Sequence, residues 1–238
     1  MRALDTLLTR ALQMLESLTA GVEPLERWCI GGGTVLMRRH RHRLSRNVDV
    51  FVPAAQVMTQ LSPRSNPAVR ELTTDYVEQE RLLKLYVPEG EIKIIASGSF
   101  TTQPTLRERI LGHDVNVETS AEIIAKKFLF RGAEFGARDI LDLALIAERE
   151  PQALSRIAHI MAGYRGVLLR RLAVHEEALR EDFAALDLLE YRPSYEACLD
   201  TVLDVLAEAV AVASRRIEQP RAPYHAGQCF APVPLAIL

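Results

Sequence analysis

The sequence predicts an α/β (α+β) fold: a mixed sheet with flanking helices, followed by a helical C-terminal half. Three observations predict it. Val48, Val50 and Val52 alternate with Asp49 and Phe51, the period-2 pattern of a strand. Three more strand-like runs follow at 75–77, 82–87 and 91–95, separated by charged or Pro/Gly punctuation, as neighbouring strands of one sheet would be. From Ser120 onward the apolar period lengthens to about 3.6, the spacing of helices.

In chain order, Leu4, Leu7, Leu8, Leu12, Leu15 and Leu18 form a helical stripe over 3–20. Trp28-Cys29-Ile30 is a short apolar run that stops at Gly31-Gly32-Gly33. A helical pattern restarts at Thr34-Val35-Leu36-Met37 and runs into the basic segment Arg38 to Arg46. The strand around Asp49 is closed by Pro53. A short helix is expected at 55–61 and a turn-rich loop from Ser62 to Pro67. The runs 82–87 and 91–95 read as a hairpin about Pro88-Glu89-Gly90, and Val115-Asn116-Val117 as a further short strand. Helices are expected from Ser120, over 137–147, over 154–189 and over 195–216, with Pro193 breaking the last two apart. The tail from Pro220 holds four prolines and reads as extended. This divides the chain into an α/β domain at 1–118, a helical domain completing the site at 119–218, and a Pro-rich tail at 219–238.

Composition narrows the function classes. A net charge of -2 excludes a protein that coats nucleic acid by bulk charge, so any such contact must come from a local patch. Cys29, Cys198 and Cys229 are scattered without CxxC spacing, which argues against a disulfide framework or a zinc site. Asp5 and Arg10 interrupt the N-terminus before a signal-like apolar run develops, and no stretch reaches the roughly 18 uncharged apolar residues of a membrane span. The expectation is a soluble cytoplasmic protein with no membrane partner.

The chemistry concentrates in two places. A glycine turn at a helix N-terminus lets backbone N–H groups approach a phosphate, and Gly32-Gly33-Thr34 opens such a helix. The following strand presents residues 47 and 49 on one face, where polar side chains can hold Mg²⁺ against a triphosphate. The segment Gly32-Gly33-Thr34-Val35-Leu36, then His42-Arg43, Ser45 and Asn47-Val48-Asp49-Val50-Phe51, resembles the GG-T-x-L … H-R-x-S-x-D-x-D-x-F signature of AbiEii/AbiGii-type nucleotidyltransferases. Glu122-Ile123-Ile124-Ala125-Lys126-Lys127, Arg131 and Arg138-Asp139-Ile140-Leu141-Asp142-Leu143 resemble that family's E-I-x-A-x-K … R … R-D-x-x-D-L stretch. The resemblance spans roughly 28–148.

The resemblance implies a nucleotidyltransferase-like sheet and transfer of a nucleotidyl group from an NTP, with Mg²⁺, to an RNA or protein acceptor. Some members are toxins of toxin–antitoxin pairs, and relatives modify the 3′ end of tRNA. The implied partners are therefore an NTP, tRNA or another RNA, and an antitoxin protein. Carried over, Gly32, Gly33 and Thr34, with Ser45 and Asn47, would hold the triphosphate. Asp49 would ligate the metal, with Asn47 and Glu91 as this chain's own further candidate ligands. Lys127 would neutralise transferring charge, and Asp139 would orient Lys127 or act as a base, so that all of these serve one triphosphate cleft.

The chain departs from the family pattern twice. Asn47 stands where the first Asp of D-x-D is expected, and an amide carbonyl can ligate a metal but brings no charge. Lys93 stands where a third carboxylate is expected, and its repulsion of a cation would amount to roughly 1–4 kcal/mol at about 4 Å. Glu91 shares its face and is the acidic substitute. These departures keep a second reading open, a catalytically weak or inactive relative that binds nucleotide or a protein partner without turnover. A third is an interaction module whose glycines only turn the chain. The five arginines between 38 and 46 read either as an RNA- or partner-binding patch or as a solvated helix end.

Overall fold

The computed structural model describes residues 2–16 and 28–218. Residues 17–20 of the helix expected over 3–20, and the Pro-rich tail at 219–238, lie outside them. The described residues form two compact units: 2–16 and 28–123 with 187–192, and 124–186 with 193–218.

In the first unit, α1 (Arg2–Glu16) is followed by β1 (Cys29–Gly31), α2 (Gly32–His40), β2 (Asn47–Val52), α3 (Gln56–Leu61) and α4 (Pro67–Leu72). Then come β3 (Tyr76–Gln79), β4 (Leu82–Val87), β5 (Gly90–Ala96), β6 (Thr105–Ile110) and β7 (His113–Glu118). The strands make one mixed sheet in the order β3-β4-β5-β2-β1-β7-β6. β2 runs parallel to β5 and β1 parallel to β7, and the other neighbours are antiparallel. Val48, Val50, Ile92 and Ile94 are fully buried at its centre, and α1 packs against β2 and β5 with Leu7 and Leu8 at 0% exposure. The alternation that predicted β2 is thus the alternation of a core face with a second face carrying Asn47 and Asp49.

The second unit holds the rest of α5 (Ser120–Arg131), then α6 (Ala137–Arg149), α7 (Pro151–Arg156), α8 (Ala158–Val174), α9 (Glu176–Ala184) and α10 (Tyr195–Glu218). Helix α6 is buried on nearly every side, from Ile140 to Ile146, and α10 packs on both α6 and α8.

The structure differs from the sequence reading in three places. The helix over 154–189 is broken at Ile157 and His175, whose backbones leave the helical region, and it ends at Ala184. Leu172 and Leu179, seven residues apart on either side of His175, are both buried, so apolar periodicity does not report the bend there. Residues 187–192 instead form a strap along the segment between α2 and β2: Leu44 N–H donates to Asp187 O (2.8 Å), Leu189 N–H to His42 O (2.9 Å) and Glu190 N–H to Arg41 O (2.8 Å). The strap therefore belongs to the first unit, and the division between units falls inside α5 rather than before it. Strand β6 is a third difference. Its Arg107, Glu108 and Arg109 hide the period-2 signal, as befits a charged edge strand.

Candidate functional site

The glycine turn and the Asp49 strand do converge. Gly31 pairs with Asp49 across the antiparallel β1–β2 ladder. Gly32 then opens α2 with φ +69, and a Cβ there would collide with Asp49 Oδ2. Glycine is required at this point both for its left-handed conformation and for the close approach of the carboxylate. A Cβ on Gly31 would strike Glu118, and one on Gly33 would strike the Arg43 guanidinium. Three charged side chains, from β7, β2 and the α2–β2 segment, thus close on three consecutive glycines.

Glu118 and Arg43 were absent from the expected site. Glu118 is 1% exposed and accepts a long hydrogen bond from Gly32 N–H (3.4 Å). A strand-terminal acid just before the Thr119-Ser120 helix start was the available signal. Arg43 is 4% exposed, and its signal was the His42-Arg43 pair itself. Thr34 is buried, its hydroxyl bonded to the Ser45 hydroxyl (2.7 Å) and donating to the Asn47 carbonyl oxygen. Thr34 and Ser45 therefore tie α2 to the start of β2.

The face of β2 that carries Asp49 continues onto β5. Asn47 pairs with Glu91, and Asp49 with Lys93, in the parallel ladder. Lys93 Nζ lies 3.2 Å from a Glu91 carboxylate oxygen. With the Asn47 amide nitrogen donating to Arg46 O (3.0 Å), its oxygen accepts from Lys93 Nζ at 3.1 Å. Two members of the expected Mg²⁺ set, Asn47 and Glu91, are thus bridged by an ammonium group. Among the described residues no cluster of three His, Cys, Asp or Glu side chains could hold a metal ion. The residues present do not fit a divalent ion at that flank, because a second cation would have to displace Lys93 or be repelled by it.

Lys127 and Asp139 meet in the second unit. Lys127 Nζ lies 2.6 Å from Asp139 Oδ1 and 2.8 Å from Asp142 Oδ2, and Arg131 reaches Asp139 Oδ2 at 3.3 Å. Both carboxylates are at 0% exposure. They project one turn apart from α6 toward α5, the geometry of an i, i+3 pair. Burial pushes the Asp139 carboxyl up. The Lys127 and Arg131 cations outweigh it, with hydrogen bonds from Lys127 and the Gly136 N–H, and hold the group below the usual carboxylate range. Glu122, from the same motif, is 1% exposed and takes hydrogen bonds from Phe100 N–H, Thr101 N–H and the Thr101 hydroxyl (2.7–2.9 Å for the shortest of each). It anchors the loop after β5.

Most of the arginine run is matched by acids or buried, and Arg38 is exposed. Arg39 pairs with Glu108 (2.6 Å), Arg41 with Glu190 and Arg46 with Asp187 (3.6 Å), while Arg43 is buried against Gly33.

A family model described as "Nucleotidyl transferase AbiEii toxin, Type IV TA system" matches residues 15–216. No curated protein sequence matches the chain. Among solved structures, JHP933 from Helicobacter pylori is similar at 13% identity over 91% of this chain and 95% of that one, with a TM-score of 0.48. MenT4, a nucleotidyltransferase toxin from Mycobacterium tuberculosis, is similar at 18% identity over 89% and 85%, with a TM-score of 0.42.

Proposed function

Since the chain belongs to the AbiEii nucleotidyltransferase toxin family, we propose that it binds a nucleoside triphosphate and transfers the nucleotidyl group to an RNA or protein acceptor, as the toxin of a toxin–antitoxin pair. The observation that carries this reading is the approach of Asp49 to Gly32 at the start of α2. That arrangement sets a glycine turn and a helix N-terminus beside the face of β2. The triphosphate arrives as its magnesium salt, so magnesium enters here as part of the substrate, with Asp49 as the carboxylate facing it.

Attack proceeds in line on the α-phosphorus, and the protein's contribution is positioning and charge. Lys127 is the cation assigned to the transferring group. Asp139 and Asp142 fix its ammonium in one place, so little reorganisation is needed as charge develops. Asp139 orients Lys127 rather than acting as a base, because it is buried and its carboxyl is held in the ionised form.

The test is incorporation of label from each of the four NTPs into RNA, tRNA included, or into protein. Asp49→Asn should lower the rate roughly 100-fold while leaving the melting temperature within a few degrees. Label transfer that survives Asp49→Asn sinks the assignment. NTP binding without transfer by the unaltered chain selects the inactive-relative reading, which the Lys93–Glu91 pair favours.

A further inference from the structure

The Asp49 face of the sheet also carries two lysines. Lys93 lies beside Asp49 in the β2–β5 ladder, and Lys84 lies directly opposite Lys93 in the antiparallel β4–β5 ladder. Residues so paired point to the same face, with Cβ atoms about 5 Å apart, and like charges in that relation destabilise a sheet. Of the two, Lys93 has the Glu91 carboxylate and the Asn47 amide oxygen as partners. Lys93 and Glu91 remain open to solvent, with side chains 24% and 34% exposed. Two opposed lysines on one face of the sheet, two and three strands from β1, offer a pair of ammonium groups to a multiply charged anion lying between them, beside the carboxylates of Asp49 and Glu91.

We propose that Lys93 and Lys84 form a built-in cationic cradle for the polyphosphate tail of the nucleotide, with the Lys93 ammonium standing where a divalent ion would otherwise sit between Asn47 and Glu91. This deepens the nucleotide reading and rests on it for the identity of the ligand. The cradle is built from the chain's own side chains, so it captures a polyphosphate without a metal. The unliganded chain in turn does not recruit a divalent ion at this flank.

The probe is inorganic tripolyphosphate, which has the tail and no base. Its binding is measured by calorimetry and by the rise in melting temperature, in excess EDTA and in Mg²⁺. The unaltered chain should bind it in EDTA. Lys93→Met should weaken that binding tenfold or more and Lys84→Met severalfold, both with melting curves that show a folded protein. Removing Lys93 leaves the exposed Glu91 in water, so loss of the fold is not expected. Paramagnetic resonance with Mn²⁺ and no nucleotide gives a second readout: no ion bound at this flank in the unaltered chain, and one bound in Asn47→Asp/Lys93→Asp. Tripolyphosphate binding that requires Mg²⁺, or equal binding by Lys93→Met, overturns the cradle. So does an Mn²⁺ ion in the unaltered chain that is lost in Glu91→Gln. Label transfer from NTP together with any of those results leaves the nucleotidyltransferase reading standing and removes only the cradle. Absence of transfer with intact EDTA-resistant tripolyphosphate binding does the reverse.

Discussion

Gly32 combines two demands that rarely coincide in one residue, a left-handed backbone and a carboxylate at van der Waals range. Gly32→Ala should therefore destabilise the chain by at least about 1 kcal/mol from backbone strain alone, and it should push Asp49 aside. Urea unfolding measures the first effect and NTP binding the second; an alanine variant that matches the parent in both would show the turn to be relaxed. Asp139 makes a different test. Its carboxyl is depressed in the folded chain, so its stabilisation is present above the unfolded value of about 3.9 and is lost as pH falls through the folded value. Asp139→Asn should cost roughly 3 kcal/mol at neutral pH, and the gap to the parent should close below about pH 4. Chemical denaturation at several pH values checks the sign, and a gap that widens in acid would contradict it. The sequence marked Asp49, Lys127 and Asp139 because their motifs are short and local. Glu118 escaped it because its place depends on β7 pairing with β1, a neighbour far away in the chain.

At the scale of elements, patterns with a single repeating spacing were readable: β2, β4, β5, the hairpin between the last two, α5, α6 and α10 all formed near their expected positions. What escaped was anything whose conformation is set by a distant partner. Leu186, Leu188 and Leu189 look like the end of a helix, yet from Asp187 onward the chain finds better backbone partners in Arg41, His42 and Leu44. Proline at 189 should expose this directly. Leu189→Pro removes the donor to His42 O, and the melting temperature should fall by several degrees for a loss of about 1 kcal/mol or more. Were 187–192 only a passive connection, that substitution would leave the melt unchanged.

For the molecule as a whole, the arginine run shows why charge counted along a sequence differs from charge offered to a partner. Arg39, Arg41 and Arg46 are each matched by an acid, and the whole chain carries a net -2. Binding to RNA of unrelated sequence should therefore be weak and shed only about two counterions or fewer, seen as a shallow slope of log affinity against log salt. Fluorescence anisotropy over a salt series gives the slope, and a steep one would reveal a basic surface elsewhere. Among the described residues no helix is long and apolar enough to cross a membrane. The sequence also gave no hint that the first unit is discontinuous, since that follows from which backbone groups residues 187–192 satisfy.

That discontinuity has a consequence for biosynthesis. A ribosome that has made residue 123 must add 63 more before the strap begins, the length of 124–186. At about 5–20 residues per second that is roughly 3–13 s during which the nascent N-terminal unit lacks its last hydrogen-bonding segment. The segment that joins α2 to β2 therefore gains its backbone partners only after most of the polypeptide has been synthesised.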